Sequence, residues 1–145
     1  MDMPPDARLG LDIKRAEQAL TTAKGNAVRG ADLTVAQYAT LLALSRYPGM
    51  SAAALARVCL VTPQAMTAML KTLQTRGLIG RTAHPWHQRI LETRLTESGQ
   101  RALAAADKEA VRIERRIADE FTAEERDTLR ALLARCVQAI ERDDD

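Results

Sequence analysis

The sequence predicts a mainly α protein with a small β-hairpin, organised as a winged helix-turn-helix core between N- and C-terminal helices. Three observations carry this reading. Only one Trp, two Tyr and one Phe occur in 145 residues, while Ala, Leu and Arg are abundant, a balance that favours helices over sheets. Two short helical patterns, one opening at Ser51 and one at Thr62-Pro63, are separated by just Cys59, Leu60 and Val61. Gly77 then precedes two short runs, residues 78–83 and 90–95, joined by His84-Pro85-Trp86-His87-Gln88-Arg89, which is too polar and proline-broken to continue either.

Residues 51–96 form the element around which the chain is organised. Ser51 is placed to cap the first helix through its side-chain oxygen, and Leu55 and Val58 are expected to face a core. Thr62 caps the second helix, with Pro63 at the first position, where a missing N–H costs nothing. Met66, Met69, Leu70 and Leu73 recur at three- and four-residue steps and predict one buried stripe. The opposite face carries Gln64, Thr67, Ala68 and Lys71: short, polar or basic, and free of acids. A helix with such an outer face has the shape and chemistry to enter a major groove.

The remaining elements follow in chain order. Residues 1–7, with Pro4-Pro5 and two acids, read as a disordered tail. Leu9, Ile13, Ala16 and Leu20 share one side of a helix over residues 9–23, and Gly25-Asn26 and Gly30 are expected to break it. Thr34 and Gln37 form a capping box opening a helix with Tyr38, Leu41, Leu42 and Leu44, which ends near Tyr47-Pro48-Gly49. Thr96 starts a long helix with Leu103, Ala106, Ala110, Ile113 and Ile117. Phe121 precedes a second capping box, Thr122 and Glu125, and a last helix carrying Leu129, Leu132, Leu133, Cys136, Val137 and Ile140. The acidic end, residues 143–145, is expected to fray.

Charge is distributed unevenly. Residues 27–101 hold nine Lys or Arg against three acids, residues 1–26 hold four of each, and residues 102–145 hold eight basic against twelve acidic residues. The positive excess therefore lies on the module that would touch phosphates, which suits specific docking better than uniform basicity. No apolar run approaches the ~20 residues that cross a bilayer, and the first residues lack a leader-like apolar segment. A soluble, cytoplasmic protein with no membrane partner is expected. Cys59 and Cys136 fall inside helical patterns and read as small core residues rather than a disulfide framework. No Gly-rich phosphate loop and no metal-spaced cluster is present, and the only histidines, His84 and His87, share a loop beside Trp86 and Pro85. The sequence thus argues against an enzyme, and neither a metal nor a cofactor is expected.

In order and spacing, this chain resembles the MarR family of bacterial transcription regulators. The resemblance rests on Ala54-Leu55-Ala56, then Val61-Thr62-Pro63-Gln64, then Leu73 with Gly77-Leu78-Ile79, then Arg89 six residues before Leu95-Thr96, with Gly99 beyond. It extends across roughly residues 8–141 and is carried by the whole series more than by any one piece. One departure stands out: the family usually has Asp two residues before the wing Arg, and here that residue is His87.

The resemblance implies a homodimeric, sequence-specific repressor with a small aromatic or amphipathic effector held between the dimer helices and the DNA-reading lobe. The residues argue independently for dimerisation, because the terminal helices carry long apolar stripes that soluble monomers rarely expose. On this reading residues 1–145 form a single domain, with a DNA-binding lobe at 27–101 and dimerisation helices at 8–26 and 102–141. The partner is double-stranded DNA with near-palindromic half-sites about one helical turn apart, ~34 Å. The candidate DNA-facing residues are Ser51, Thr62, Gln64, Thr67, Ala68, Lys71, Arg57, Arg81 and Arg89. Gln64 and Thr67 are assigned to the groove, Arg89 to groove or phosphate, Thr62 to a cap with a phosphate contact, and Lys71, Arg57 and Arg81 to phosphates. Trp86 is expected to pack over its own hairpin. The alternative is a winged-helix protein-interaction module that binds no DNA, which the acid-free face and the basic excess disfavour. The sequence does not show which residues line an effector pocket.

Overall fold

The computed structural model describes residues 2–142. Six helices and one hairpin follow in the order α1 (Gly10–Val28), α2 (Val35–Arg46), α3 (Ala52–Cys59), α4 (Pro63–Thr75), β1 (Ile79–Ala83), β2 (Leu91–Leu95), α5 (Glu97–Asp119) and α6 (Ala123–Glu141). The chain divides between Ala110 and Val111 into two compact units.

The first unit holds the core. Val28, Leu33, Tyr38, Leu41, Leu44, Leu55, Met66, Leu70, Leu73, Leu78, Ile79, Leu103 and Ala106 are all buried in one cluster. The helices α2 and α4 reach it along stripes at three- and four-residue spacing. Leu41 and Leu44 serve α2, and Met66, Leu70 and Leu73 serve α4. Fully burying a side chain of this size stabilises by about 1.5–3 kcal/mol, so this cluster, rather than helix propensity, fixes the elements.

The caps read from sequence are present. Thr34 accepts the Gln37 amide at 3.1 Å while the Gln37 side chain accepts the Thr34 amide at 3.0 Å. Ser51 accepts from the Ala54 amide at 3.2 Å and Thr62 from the Ala65 amide at 3.1 Å. Gly77 follows α4 with φ +73°, the left-handed region that glycine enters without steric cost.

Thr96 joins two elements. Its hydroxyl donates to the Gly77 carbonyl at 2.6 Å and accepts the Gly99 amide at 3.1 Å, while its own amide donates to the Leu78 carbonyl at 3.1 Å. A Cβ on Gly99 would fall on the Leu78 carbonyl oxygen. Only glycine lets α5 begin this close to the backbone that leaves α4.

The hairpin is antiparallel, with Ile79 opposite Leu95, Arg81 opposite Thr93 and Ala83 opposite Leu91. A third segment joins it. The Gly49 amide donates to the Thr93 carbonyl at 3.0 Å, and the Thr93 amide donates to the Met50 carbonyl at 3.1 Å. The residues leading into α3 therefore pair with the hairpin, an attachment with no strong periodicity to announce it in sequence.

Several expectations require correction. The first helix does not stop at Gly25-Asn26 but runs to Val28, which is buried. Burying that residue outweighs the ~1 kcal/mol cost of a helical glycine. A Cβ at Gly25 would meet Val35 Cγ2 at 3.7 Å, an ordinary contact, so packing against α2 does not itself require glycine there. Gly30 sits in a 3-10 turn, Arg29–Ala31. In the expected tail, Pro5–Ala7 form one 3-10 turn closed by Ala7 N–H to the Pro4 carbonyl at 3.0 Å. Val58 does not face the core and is 52% exposed. The inward stripe of α3 is Ala52, Leu55, Ala56 and Cys59, and Val58 lies one residue off it. The expected fraying of residues 143–145 falls outside the described residues.

The second unit comprises the last turns of α5 and all of α6. Thr122 and Glu125 form the expected capping box, with amide contacts of 3.1 and 2.9 Å. The Arg126 guanidinium donates to the Ala118 carbonyl at 2.8 Å, closing the corner between the helices. Leu129, Leu132, Leu133, Val137 and Ile140 are all exposed. In the first unit Leu9, Leu11 and Ile13 near the start of α1 are exposed as well.

Candidate nucleic-acid interface

α3 and α4 turn through 110° at their junction, within the range of a helix-turn-helix, ~90–120°. The turn is made by Leu60, which adopts φ +56° and is 91% exposed. Its amide donates to the Arg57 carbonyl at 3.4 Å, and the Val61 amide donates to the Ala56 carbonyl at 3.1 Å.

With Met66, Leu70 and Leu73 turned inward, Gln64, Thr67, Ala68 and Lys71 are all exposed on the other face of α4. Thr67 donates to the Pro63 carbonyl at 2.9 Å, and its side-chain oxygen keeps acceptor capacity for a further partner. The N-terminus of α4 adds unpaired backbone amides and a partial positive charge, both favourable to a phosphate. Thr62 is exposed, and Ser51 is half-buried at the start of α3. Arg57 is exposed near the end of α3. Arg76, beyond α4, is instead engaged with Asp32 at 3.4 Å.

The wing presents Arg89 exposed within the connection between β1 and β2. Arg81 on β1 is half-buried. Its Nε is enclosed and has no hydrogen-bond partner, and the same holds for the Thr93 hydroxyl directly across the strand pair. Trp86, expected to pack over its hairpin, is instead 83% exposed and leaves Ile90 and Leu91 exposed as well.

Sequence reasoning did not find what shapes this loop. His84 Nδ1 accepts the amides of Trp86 at 3.1 Å and His87 at 3.2 Å. The His84 amide donates to the Ile90 carbonyl and the Ile90 amide to the His87 carbonyl, both at 2.8 Å. Glu92 lies 3.6 Å from His84 Nε2 and accepts from Arg94 at 3.2 Å. The Arg94 guanidinium rests over Gly49, where a Cβ would meet it at 2.9 Å. No motif spacing announces this chain of polar groups. Its one sequence signal is a histidine two residues before a backbone amide that needs an acceptor, a position where Asx residues usually serve.

Neither cysteine is placed as an activated nucleophile. Burial pushes the Cys59 thiol up, with the Thr40 hydroxyl, 3.9 Å from the sulfur, acting in the opposite direction. Cys136 is half-buried on α6. Among the described residues no group of three or more His, Cys, Asp or Glu is arranged to hold a metal ion, and no single helix is long and apolar enough to cross a membrane.

A sequence model of the MarR family matches residues 31–90. Over 112 residues, 77% of this chain and 80% of the relative, the sequence is 38% identical to the HTH-type transcriptional repressor Rv2887 of Mycobacterium tuberculosis. Among solved structures, the transcriptional repressor CouR bound to a 23-mer DNA duplex is 30% identical with a TM-score of 0.82, covering 94% of this chain and 99% of that one. The Mycobacterium tuberculosis MarR family protein Rv2887 in complex with salicylic acid is 28% identical with a TM-score of 0.67, covering 93% and 97%. A winged helix-turn-helix of this sequence and shape places the chain in the MarR family of transcription regulators.

Proposed function

We propose that the protein is a homodimeric repressor that reads double-stranded DNA with α4 and grips it with the wing. The observation that carries this is the exposed, acid-free face of Gln64, Thr67, Ala68 and Lys71 at the second helix of a 110° helix-turn-helix. Gln64 offers the amide that pairs with adenine in the major groove. Thr67 and Ala68 present methyl groups suited to thymine. Lys71, Arg57, Arg81, Ser51 and Thr62 supply phosphate contacts, and Arg89 reaches the adjacent groove or backbone. The similarity to CouR, solved on a DNA duplex, supports the same role here.

Residues 27–101 serve as the reading lobe and residues 8–26 and 102–141 as the dimerisation helices of one functional domain. The bare apolar residues near the start of α1 and along α6 call for a partner, and a second copy makes the two lobes equivalent. A twofold dimer requires a near-palindromic operator. The proposal includes no catalytic step and locates the protein in the cytoplasm, beside DNA.

An effector has a seat in the first unit. A cavity of about 260 Å³ is lined by Leu42, Ser45, Leu95, Gln100, Leu103, Ala104 and Asp107. Open to solvent and lined by polar as well as apolar groups, it has the volume of a single-ring molecule. The relative solved with salicylic acid supports that size class. Such a molecule acts only through different affinities for the DNA-competent and incompetent states.

The test is selection of bound fragments from a random-sequence DNA pool, followed by two variants. Gln64→Ala is expected to cost about 1–3 kcal/mol on the selected site and relax preference at one base per half-site. Lys71→Ala is expected to weaken selected and random DNA alike and to lower the salt slope. Failure to enrich any sequence, or equal losses on both DNAs in both variants, would remove α4 as the reading element.

A further inference from the structure

The path of the wing loop rests in large part on one side chain, His84. Backbone amides at a loop tip are normally satisfied by water or by an Asx oxygen. Here two consecutive amides, of Trp86 and His87, converge on His84 Nδ1 at 3.1 and 3.2 Å. The ring's other nitrogen faces the Glu92 carboxylate at 3.6 Å, and Glu92 is held from its far side by Arg94 at 3.2 Å. Both partners are partly enclosed, with side-chain exposures of 34% for His84 and 18% for Glu92. Nδ1 thus serves the loop as an acceptor, and Nε2 is turned toward Glu92. The turn is closed at its other end by the Ile90 amide on the His87 carbonyl at 2.8 Å. Gln88 and Arg89 lie between these two fixings and have no choice of path.

We infer that His84 is the positioning residue of the wing, setting the loop that aims Arg89 at DNA by accepting two backbone amides at Nδ1. The inference rests on the DNA-binding reading above. His84 itself touches no nucleic acid in this arrangement. Its action is to spend in the folded protein the ordering that Arg89 would otherwise undergo on binding, which is how preorganisation raises affinity. The carboxylate two residues before Arg89 that the resemblance leads one to expect is replaced by His87. The ring of His87 lies 5.3 Å from that of His84, and its contribution to the turn is its backbone amide and carbonyl.

The experiment is a double-mutant cycle on a DNA fragment selected by the wild-type protein from a random pool. His84→Ala is expected to lower affinity about tenfold, the scale of one lost groove contact. In an Arg89→Ala background the same change is expected to have almost no further effect, because two residues acting through one contact are not additive. His84→Asn, whose Oδ1 can take the same two amides, is expected to stay within about twofold of wild type, as rescue by an Asx-turn acceptor requires. Melting temperatures of all four variants, the double variant included, should stay within a few degrees of wild type, since the loop is exposed. Equal losses from His84→Ala with and without Arg89, or a His84→Asn variant as weak as His84→Ala, overturns the inference. Wild-type protein that selects no DNA overturns instead the reading on which it rests.

Discussion

Tyr38 on α2 donates its phenolic hydrogen to Asp107 on α5 at 2.6 Å. Tyr38 is only 6% exposed, so the bond is largely shielded from water and ties α2 to the first half of α5. Hydrogen bonds to charged groups contribute about 1.5–3 kcal/mol. Asp107 is half-buried, which puts Tyr38→Phe near the lower end of that range. Thermal denaturation of the variant checks this, and an unchanged melting temperature would show the bond to be unimportant.

Leu60 carries a second consequence. A residue with a Cβ in the left-handed region costs roughly 1–2 kcal/mol, and at 91% exposure this side chain recovers almost nothing by burial. Leu60→Asn is expected to stabilise the protein by about 1 kcal/mol, a rise of several degrees in melting temperature. A lower melting temperature would mean that the leucine has a covering contact in the assembled protein.

Cys59 gives a pH-dependent expectation. Burial raises its thiol above the ordinary value, so folding favours the protonated form. The resulting stability is fully present below the unfolded thiol's value and is lost as pH rises through the higher folded value. Alkylation of Cys59 at pH 8 should therefore be slower in native protein than in denaturant. Equal rates in the two conditions would contradict this.

The apolar face of α6 predicts the assembly state. Leu132 and Leu133 are each 47% exposed, and the double change Leu132→Glu, Leu133→Glu is expected to convert the dimer to a monomer in sedimentation. Because each half-site alone binds weakly, affinity for a palindromic fragment should fall by at least ~100-fold. A variant that remained a dimer would place the interface elsewhere.

Much of this architecture was legible in the chain. The capping boxes at Thr34 and Thr122, the Thr62-Pro63 start and Gly77 each have a local cause, and each appears where the residues place it. So does the division of α4 into a buried stripe and an exposed face. What was not legible depended on contacts between distant segments. Gly25 and Asn26 stay helical because Val28 is buried next to them. Val58 turns outward because Cys59 takes the inward position. The loop that holds Arg89 depends on His84, Glu92 and Arg94, which share no period. Trp86 departs from expectation by pointing to solvent although Ile90 and Leu91 are exposed close by.

The Thr96 hydroxyl, held between the Gly77 carbonyl and the Gly99 amide, has a mechanical meaning. One side chain closes the chain leaving α4 and opens α5, and the glycine beneath leaves no slack between them. The junction therefore behaves as a meshed gear rather than a flexible coupling. A turn of the start of α5 is therefore expected to carry with it the segment that leaves α4, because the Thr96 bonds tie the two together.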